Sequence, residues 1–286
     1  MILQDIKDKF RLSDAYEDWK DYRQLLTYTI IEAGGGDNKK TAAVIGAGYC
    51  NDIDIINLCR HFERITLVDW DREALAKVLN GLPKKDADKV ETVIFSLTGI
   101  DESDISIFFE DSLAALKRCG KGLTREMFEE ILMSGLDRLF KRMSISEQKS
   151  KRILPKRDIV ICNGICSQLF SVISFFVRSV AGSIPDTVFY GAADVADRVE
   201  NKLKSMNDKI VPVICSTLLT TANDYVIFGN EYSEKHPVEG AYQCIEEVRK
   251  NGSIVKEFEA VWSFNRKESV EYNMLLQICG VNKCSK

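Results

Sequence analysis

Histidine is almost missing from this chain, with two in 286 residues. Zinc sites built on histidine are therefore not expected, and the cysteines do not replace them. Cys162 and Cys166 stand four positions apart rather than three, so no zinc-ligand spacing is present. The cysteines number nine, an odd count, and most lie inside apolar runs (Cys59, Cys162, Cys166, Cys215, Cys244 and Cys279). They read as reduced, buried thiols and not as a disulfide framework. Long hydrophobic runs are lacking as well. The most apolar-rich stretch, 169–181, is interrupted by Arg178 and too short to span a bilayer. The opening MILQDIKDKFRLSD has no signal-peptide pattern, so a cytoplasmic protein is expected. Charge of one sign is also lacking: 39 basic and 43 acidic side chains are well mixed and leave a net −4. That balance argues against a nonspecific grip on nucleic acid and leaves a small molecule as the default partner. No repeat, low-complexity tract or separating linker divides the chain, which is read as one domain over 1–286.

What is present is an alternation of short apolar runs and helical patterns. Residues 1–33 carry apolar side chains at helix spacing (Leu3, Ile6, Phe10, then Tyr16, Trp19, Tyr22, Leu25, Leu26), and the glycines at 34–36 end this N-terminal helical segment, 1–38. The stretch TAAVIGAGYCNDIDIINLCRHFERITLVDWD, 41–71, reads as strand, glycine turn, helix, strand and acid. Gly46-Ala47-Gly48 makes a tight turn that lets backbone approach a ligand. Asp69 ends the second strand 23 residues after Gly46. That is the spacing at which such folds place an acid to accept hydrogen bonds from a ribose. Asp71 is read as the cap of a helix over 72–80.

A third strand is expected over 90–95, a fourth over 158–162 and a fifth over 225–229, with two long strands, 254–264 and 270–281, closing the chain as a hairpin. Helices are expected over 168–180, 194–207 and 238–250; 210–219 reads as a strand or as a helix continuing past Pro212. Residues 104–150 form a helical insertion whose stripe Phe128, Ile131, Leu132, Leu136, Leu139, Phe140 and Met143 packs on the body or serves as a lid, packing on the body with one end near the site being favoured. The fold class is α/β, with a mostly parallel sheet and helices on both faces.

The glycine string G-A-G-Y-C-N lacks the third glycine of a dinucleotide fingerprint, Asn51 standing in its place, and the terminal hairpin replaces a second βαβαβ half. Together VIGAGYCND, LVDWD, DIVICNGICSQL and the hairpin, spread over 41–281, resemble the class I S-adenosylmethionine-dependent methyltransferases. The resemblance implies a Rossmann-like sheet of seven strands in the order 3-2-1-4-5-7-6, with strand 7 antiparallel. It implies S-adenosylmethionine as cofactor, with Gly46, Ala47 and Gly48 under its methionine and ribose and Asp69 on the ribose hydroxyls. Trp70 would lie against adenine. Tyr49, Asn51 and Asp52 would meet the amino-acid moiety, and Asn163 and Gly164 the sulfonium end. The third-strand end departs from the family pattern: it offers Ser96, Leu97 and Thr98, with Asp101 further on, where an acid often reads the adenine.

Other roles stand beside these. For Asp69 ribose binding is preferred over capping and for Asn163 a site role over support of loop backbone, while Trp70 stands equally as a core residue. Cys162 and Cys166, without an adjacent basic residue, read as core thiols. A catalytic base is needed only if the acceptor must lose a proton. The loop NEYSEKHP supplies three candidates, His236, Tyr232 and Glu231. No N-P-P-Y or D-P-P-Y run follows the fourth strand, so methylation of base amino groups through that motif is not supported. A silent methyltransferase-like scaffold and an aminopropyltransferase-like enzyme are the alternatives.

Overall fold

The computed structural model describes residues 2–35, 39–233 and 238–281, the side chains of 144–153 excepted. Three helices, α1 (Ile2–Phe10), α2 (Ala15–Asp18) and α3 (Lys20–Gly34), lead into β1 (Thr41–Ile45). There follow α4 (Ile55–His61), β2 (Arg64–Asp69), α5 (Arg72–Gly81), α6 (Lys84–Ala87) and β3 (Val90–Ile94). Next come α7 (Glu102–Cys119), α8 (Arg125–Ile153), β4 (Arg157–Asn163), α9 (Ser171–Gly182), α10 (Ala192–Thr221) and β5 (Ala222–Glu231). The chain closes with α11 (Ala241–Asn251), β6 (Ser253–Asn265) and β7 (Val270–Gly280).

The strands form one seven-stranded sheet in the order β3-β2-β1-β4-β5-β7-β6. β1 pairs in parallel with β2 and β4, β2 with β3, and β4 with β5. β7 alone runs antiparallel to its neighbours β5 and β6. The central strands are near-continuous apolar runs because both faces are covered. Alternate residues feed two cores: Ala43, Ile45, Val160 and Cys162 face α1 and α7 to α10, while Ala42, Val44, Ile159 and Ile161 face α3, α4 and the hairpin. The chain direction reverses between β1 and β4, so the loops at the carboxyl ends of these strands diverge and leave a crevice.

Local chemistry sets the helix starts. Asp71 Oδ1 accepts from the Ala74 N–H at 3.0 Å, Asp54 caps α4 in the same way, and Asp101 and Asp104 form a capping box at α7. The segment 210–219 is helical, part of a single 30-residue α10 with Pro212 in its interior. Proline removes one helical hydrogen bond, but Ile210, Val211, Ile214, Cys215 and Leu218 all bury on the face where α10 meets α8, α9 and α11. Tertiary packing therefore overrides the local break. The insertion is two helices, α7 and α8, and its stripe is interior: Phe128, Leu132, Leu136, Leu139 and Met143 are buried against the body. Gly135 permits this approach, since a Cβ there would collide with the Phe108 ring. Among the described residues, no helix is long and apolar enough to cross a membrane.

Candidate functional site

A cleft of about 630 Å³ opens at the carboxyl ends of β1, β2 and β4. Its lining includes Gly46, Ala47, Gly48, Tyr49, Asn51, Asp52, Asp69, Trp70, Thr98, Asn163, Gly164 and Glu231. Residues nominated from scattered parts of the sequence thus meet on one surface.

The glycine turn is held by the second strand. The N–H groups of Gly46 and Ala47 both donate to the Val68 carbonyl, at 2.7 and 3.0 Å. Gly46 and Gly48 both have positive φ, 68° and 48°. Their reasons for being glycine differ. A Cβ on Gly46 would collide with the Ile165 side chain, an internal packing constraint. At Gly48 nothing lies within 4 Å of the Cβ position, and the residue lines the cleft. Its missing side chain leaves room for a ligand.

Asp69 is buried, yet its carboxylate is fixed by main chain on both oxygens. Gly48 N–H donates to Oδ2 and Asp71 N–H to Oδ1, each at 2.8 Å. Burial raises its pKa, and the backbone bonds oppose that shift. An ionised carboxylate has about four lone-pair sites, so both oxygens keep capacity for a further donor. Capping falls to Asp71 and not to Asp69. Half-buried Trp70 packs on the core, with Lys7 Nζ 5.6 Å from its ring centre. Lys7 also bridges Asp71 at 2.8 Å and Glu102 at 2.7 Å, which pins α1 across the end of β2. Thr98 is buried; its Oγ1 lies 3.1 Å from Ser96 Oγ and accepts from the Ile100 N–H at 3.2 Å, holding the β3 loop.

Tyr49 is clamped from outside. Arg11 donates to its hydroxyl and lies over its ring, and Lys77 Nζ stands 5.6 Å from the ring centre. The Asn51 carbonyl accepts from buried Arg23 at 2.9 Å. Asn163 is a strut and not a loop filler. Its Oδ1 accepts from the Tyr22 hydroxyl at 2.6 Å, and its Nδ2 donates to Asp52 Oδ2 at 2.7 Å. The glycine turn, β4 and α3 are thereby joined. Asp52 is shifted upward by burial and partly restored by the Asn163 bond. Gly164 has φ 63°, and its N–H donates to the Gly229 carbonyl at 2.8 Å.

The three base candidates separate. Glu231 is buried in the cleft wall. Ser167 Oγ donates to its Oε1 at 2.8 Å, while Oε2 has no partner among the described residues. Burial pushes its pKa up. Tyr232 follows at the strand end, its N–H bonded to the Asn273 carbonyl at 2.7 Å, and the described cleft lining does not include it. His236 lies outside the described residues.

Two groups of lining residues escaped the sequence reading. Lys7, Phe10, Arg11, Ala15 and Trp19 come from the N-terminal segment that carries α1 and α2; among the described side chains of the 104–150 insertion, Ile105 of α7 also lines the cleft. Trp262, Phe264 and Tyr272 come from the hairpin. The one available signal was the run of apolar residues at alternate positions toward the end of β6, Phe258, Ala260, Trp262 and Phe264. The described residues contain no cluster of three or more His, Cys, Asp or Glu suited to a metal ion.

No protein-family description matches the chain, and no curated protein does. Solved structures similar to it include the N-methyltransferase NodS from Bradyrhizobium japonicum WM9 in complex with S-adenosyl-L-homocysteine, at 8% identity over 99% of both chains and a TM-score of 0.47. Magnesium protoporphyrin IX methyltransferase (ChlM) from Synechocystis PCC 6803 with bound S-adenosylmethionine is 12% identical over 94% of this chain and 85% of that one, with a TM-score of 0.46. The O-methyltransferase TomG from Streptomyces achromogenes is 11% identical over 98% and 90%, with a TM-score of 0.45. The fold assignment rests on the strand order itself: with β7 reversed between β5 and β6, the chain has the Rossmann-like fold of class I S-adenosylmethionine-dependent methyltransferases.

Proposed function

We propose that the protein is a methyltransferase that uses S-adenosylmethionine and acts on a small molecule. The observation that carries this reading is the pairing of Gly48 and Asp69. An open, side-chain-free turn and a carboxylate with spare lone pairs stand 2.8 Å apart at the mouth of one cleft. That combination fits a nucleoside whose ribose hydroxyls meet the acid while its chain crosses the glycine. The cleft volume lies within the range, roughly 300–1,000 Å³, of small-molecule sites.

The cofactor supplies a methyl group activated on a sulfonium, so the protein's work is alignment and proton handling. Gly46, Ala47 and Gly48 present backbone to the methionine and ribose parts. Asp69 holds the ribose, Trp70 flanks the adenine, and Thr98 shapes the third-strand side. Asn163 keeps Asp52 and the glycine turn in register with β4, next to Gly164. Tyr49 and Asn51 anchor the loop to Arg11 and Arg23. Glu231 lines the same cleft as Asn163, and a carboxyl group there favours an enzyme over a silent scaffold. Glu231 is the candidate to hold a proton shed by the acceptor, its burial tuning it for that role. Calorimetric titration with S-adenosylmethionine and S-adenosylhomocysteine tests the reading. Saturable binding of both, lost in Asp69→Ala, is expected; absence of binding in the parent protein overturns it.

A further inference from the structure

The stretch just after the glycine turn is a strained part of the cleft wall. Tyr49, Cys50, Asn51 and Asp52 all line the cleft. Cys50 has φ 54°, a left-handed conformation that is costly for a residue with a side chain. Such a residue persists only where its surroundings fix it. Its own N–H closes a turn on the Ala47 carbonyl at 2.8 Å. Further restraints come from α3, which lies outside the βαβ unit. Arg23 Nη1 donates to the Asn51 carbonyl at 2.9 Å and also to the Tyr16 carbonyl, with the Tyr16 ring centre 3.7 Å from the guanidinium. Tyr22 reaches Asp52 through Asn163, over bonds of 2.6 and 2.7 Å. Thr27 Oγ1, one turn beyond Arg23, accepts from the Asp54 N–H at 2.9 Å. Three side chains of one helix thus grip the loop at Asn51, Asp52 and Asp54. Arg23 is the unusual one. It is 6% exposed, and its hydrogen-bond partners are carbonyl oxygens where a buried cation ordinarily takes a carboxylate.

We propose that Arg23 is a positioning residue for the cofactor: it fixes the Asn51 carbonyl, so that the 49–52 loop keeps the shape that receives the amino-acid part of the ligand. The proposal rests on the methyltransferase reading. Arg23 is not in the described lining of the cleft, so it acts on a ligand through the loop. With the Asn51 carbonyl released, Cys50 is free to relax out of its left-handed conformation and carry Asn51 and Asp52 with it. The nucleoside part depends instead on Asp69, which is held by the Gly48 and Asp71 N–H groups and not by α3. The Arg23 charge has a second effect. Asp52 is faced by Tyr22 and Arg23 of α3, Cys50 of its own loop and Asn163 of β4. Burial raises its pKa, and the Asn163 bond and the Arg23 charge oppose that shift. Arg23 therefore favours the ionised carboxylate, the form that attracts the ammonium group of the ligand.

S-adenosylhomocysteine and 5′-methylthioadenosine test this, because the second keeps adenine, ribose and sulfur but lacks the amino-acid part. By calorimetry, Arg23→Met is expected to bind S-adenosylhomocysteine roughly tenfold more weakly than the parent does, and 5′-methylthioadenosine within about twofold. The second titration also reports that the variant is folded. The ratio of the two affinities isolates the loop from Asp69, which acts on both ligands. On acidification that ratio should fall at a higher pH in Arg23→Met than in the parent, since Asp52 takes up its proton more readily without the neighbouring charge. If Arg23→Met does not fold, Arg23→Lys carries the same comparison, with a smaller loss confined to S-adenosylhomocysteine. Equal weakening of both ligands assigns Arg23 to the fold alone and overturns the proposal. So does unchanged S-adenosylhomocysteine affinity, or a ratio that keeps the pH profile of the parent. Each of these leaves the methyltransferase reading standing, whereas a parent protein that does not bind S-adenosylhomocysteine overturns both.

Discussion

The two ends of the cleft are built by different means. At the β1–β2 end, main chain does the holding: Val68 carbonyl on the glycine turn, Gly48 and Asp71 N–H groups on Asp69. Its parts lie within one βαβ unit. At the β4–β5 end, side chains do the holding, and they come from the turn between α2 and α3, from α3, β4 and β5, and from both hairpin strands: Trp19, Tyr22, Asn163, Glu231, Trp262, Phe264 and Tyr272. A site made of backbone suits a ligand common to many relatives of a fold, because backbone geometry is indifferent to surrounding sequence. A site made of convergent side chains suits a ligand particular to one chain.

The sharpest way to break this contrast is at Gly48. Gly48→Val places a β-branched residue at positive φ and drives its side chain into the cleft. Calorimetry is expected to find no measurable S-adenosylhomocysteine binding in a variant that still folds by circular dichroism. Retained affinity means the ligand does not cross the turn. Next in size is Asp69→Ala. It removes two charged-group hydrogen bonds to a ribose, each worth roughly 1.5–3 kcal/mol, for a loss of at least about a hundredfold in cofactor affinity. Unchanged affinity in a folded Asp69→Ala protein assigns the acid to holding the turn alone. Affinity in the parent should also fall as pH drops through the raised pKa of Asp69, since the protonated acid loses acceptor capacity.

The side-chain end predicts smaller effects, read first as stability. Tyr22→Phe deletes the donor on Asn163 Oδ1, leaving a buried acceptor unpaired at a cost of roughly 1–3 kcal/mol in chemical denaturation. A neutral result indicates that Asn163 holds its place through Asp52 alone. The smallest effect, and one of opposite sign, belongs to Glu231→Gln. A carboxyl whose folded-state pKa lies above its unfolded value favours the fold at low pH, and that contribution is lost as pH rises through the folded value. The glutamine variant should therefore be more stable than the parent near pH 7.5, by roughly 1 kcal/mol, with the gain shrinking on acidification. A variant less stable than the parent at neutral pH argues that Glu231 is structural.

Legibility followed the same division. The strand–turn–helix–strand–acid order of 41–71, the cap at Asp71 and the terminal hairpin were all readable from spacing, because each depends on neighbours within a few residues. Segment 210–219 was not, because Pro212 argues for a break locally while burial against α8, α9 and α11 decides for helix. Among the candidate bases, Glu231 and Tyr232 are adjacent in sequence and indistinguishable there. Only the register Glu231↔Met274, and the alternation of side chains it imposes, sends Glu231 into the cleft wall.

By itself the sequence determined the α/β alternation, the glycine turn and the acid at the end of β2, since short-range sterics and hydrogen bonding specify them. Tertiary structure alone decided that Lys7, Phe10, Arg11, Ala15 and Trp19 of the N-terminal segment line the cleft. It also decided that Trp19 meets Trp262 and Phe264 across more than two hundred residues of chain. Such contacts exist only after β7 inserts beside β5 and carries β6 to the N-terminal helices. No local pattern encodes which aromatic residues that closure will bring face to face.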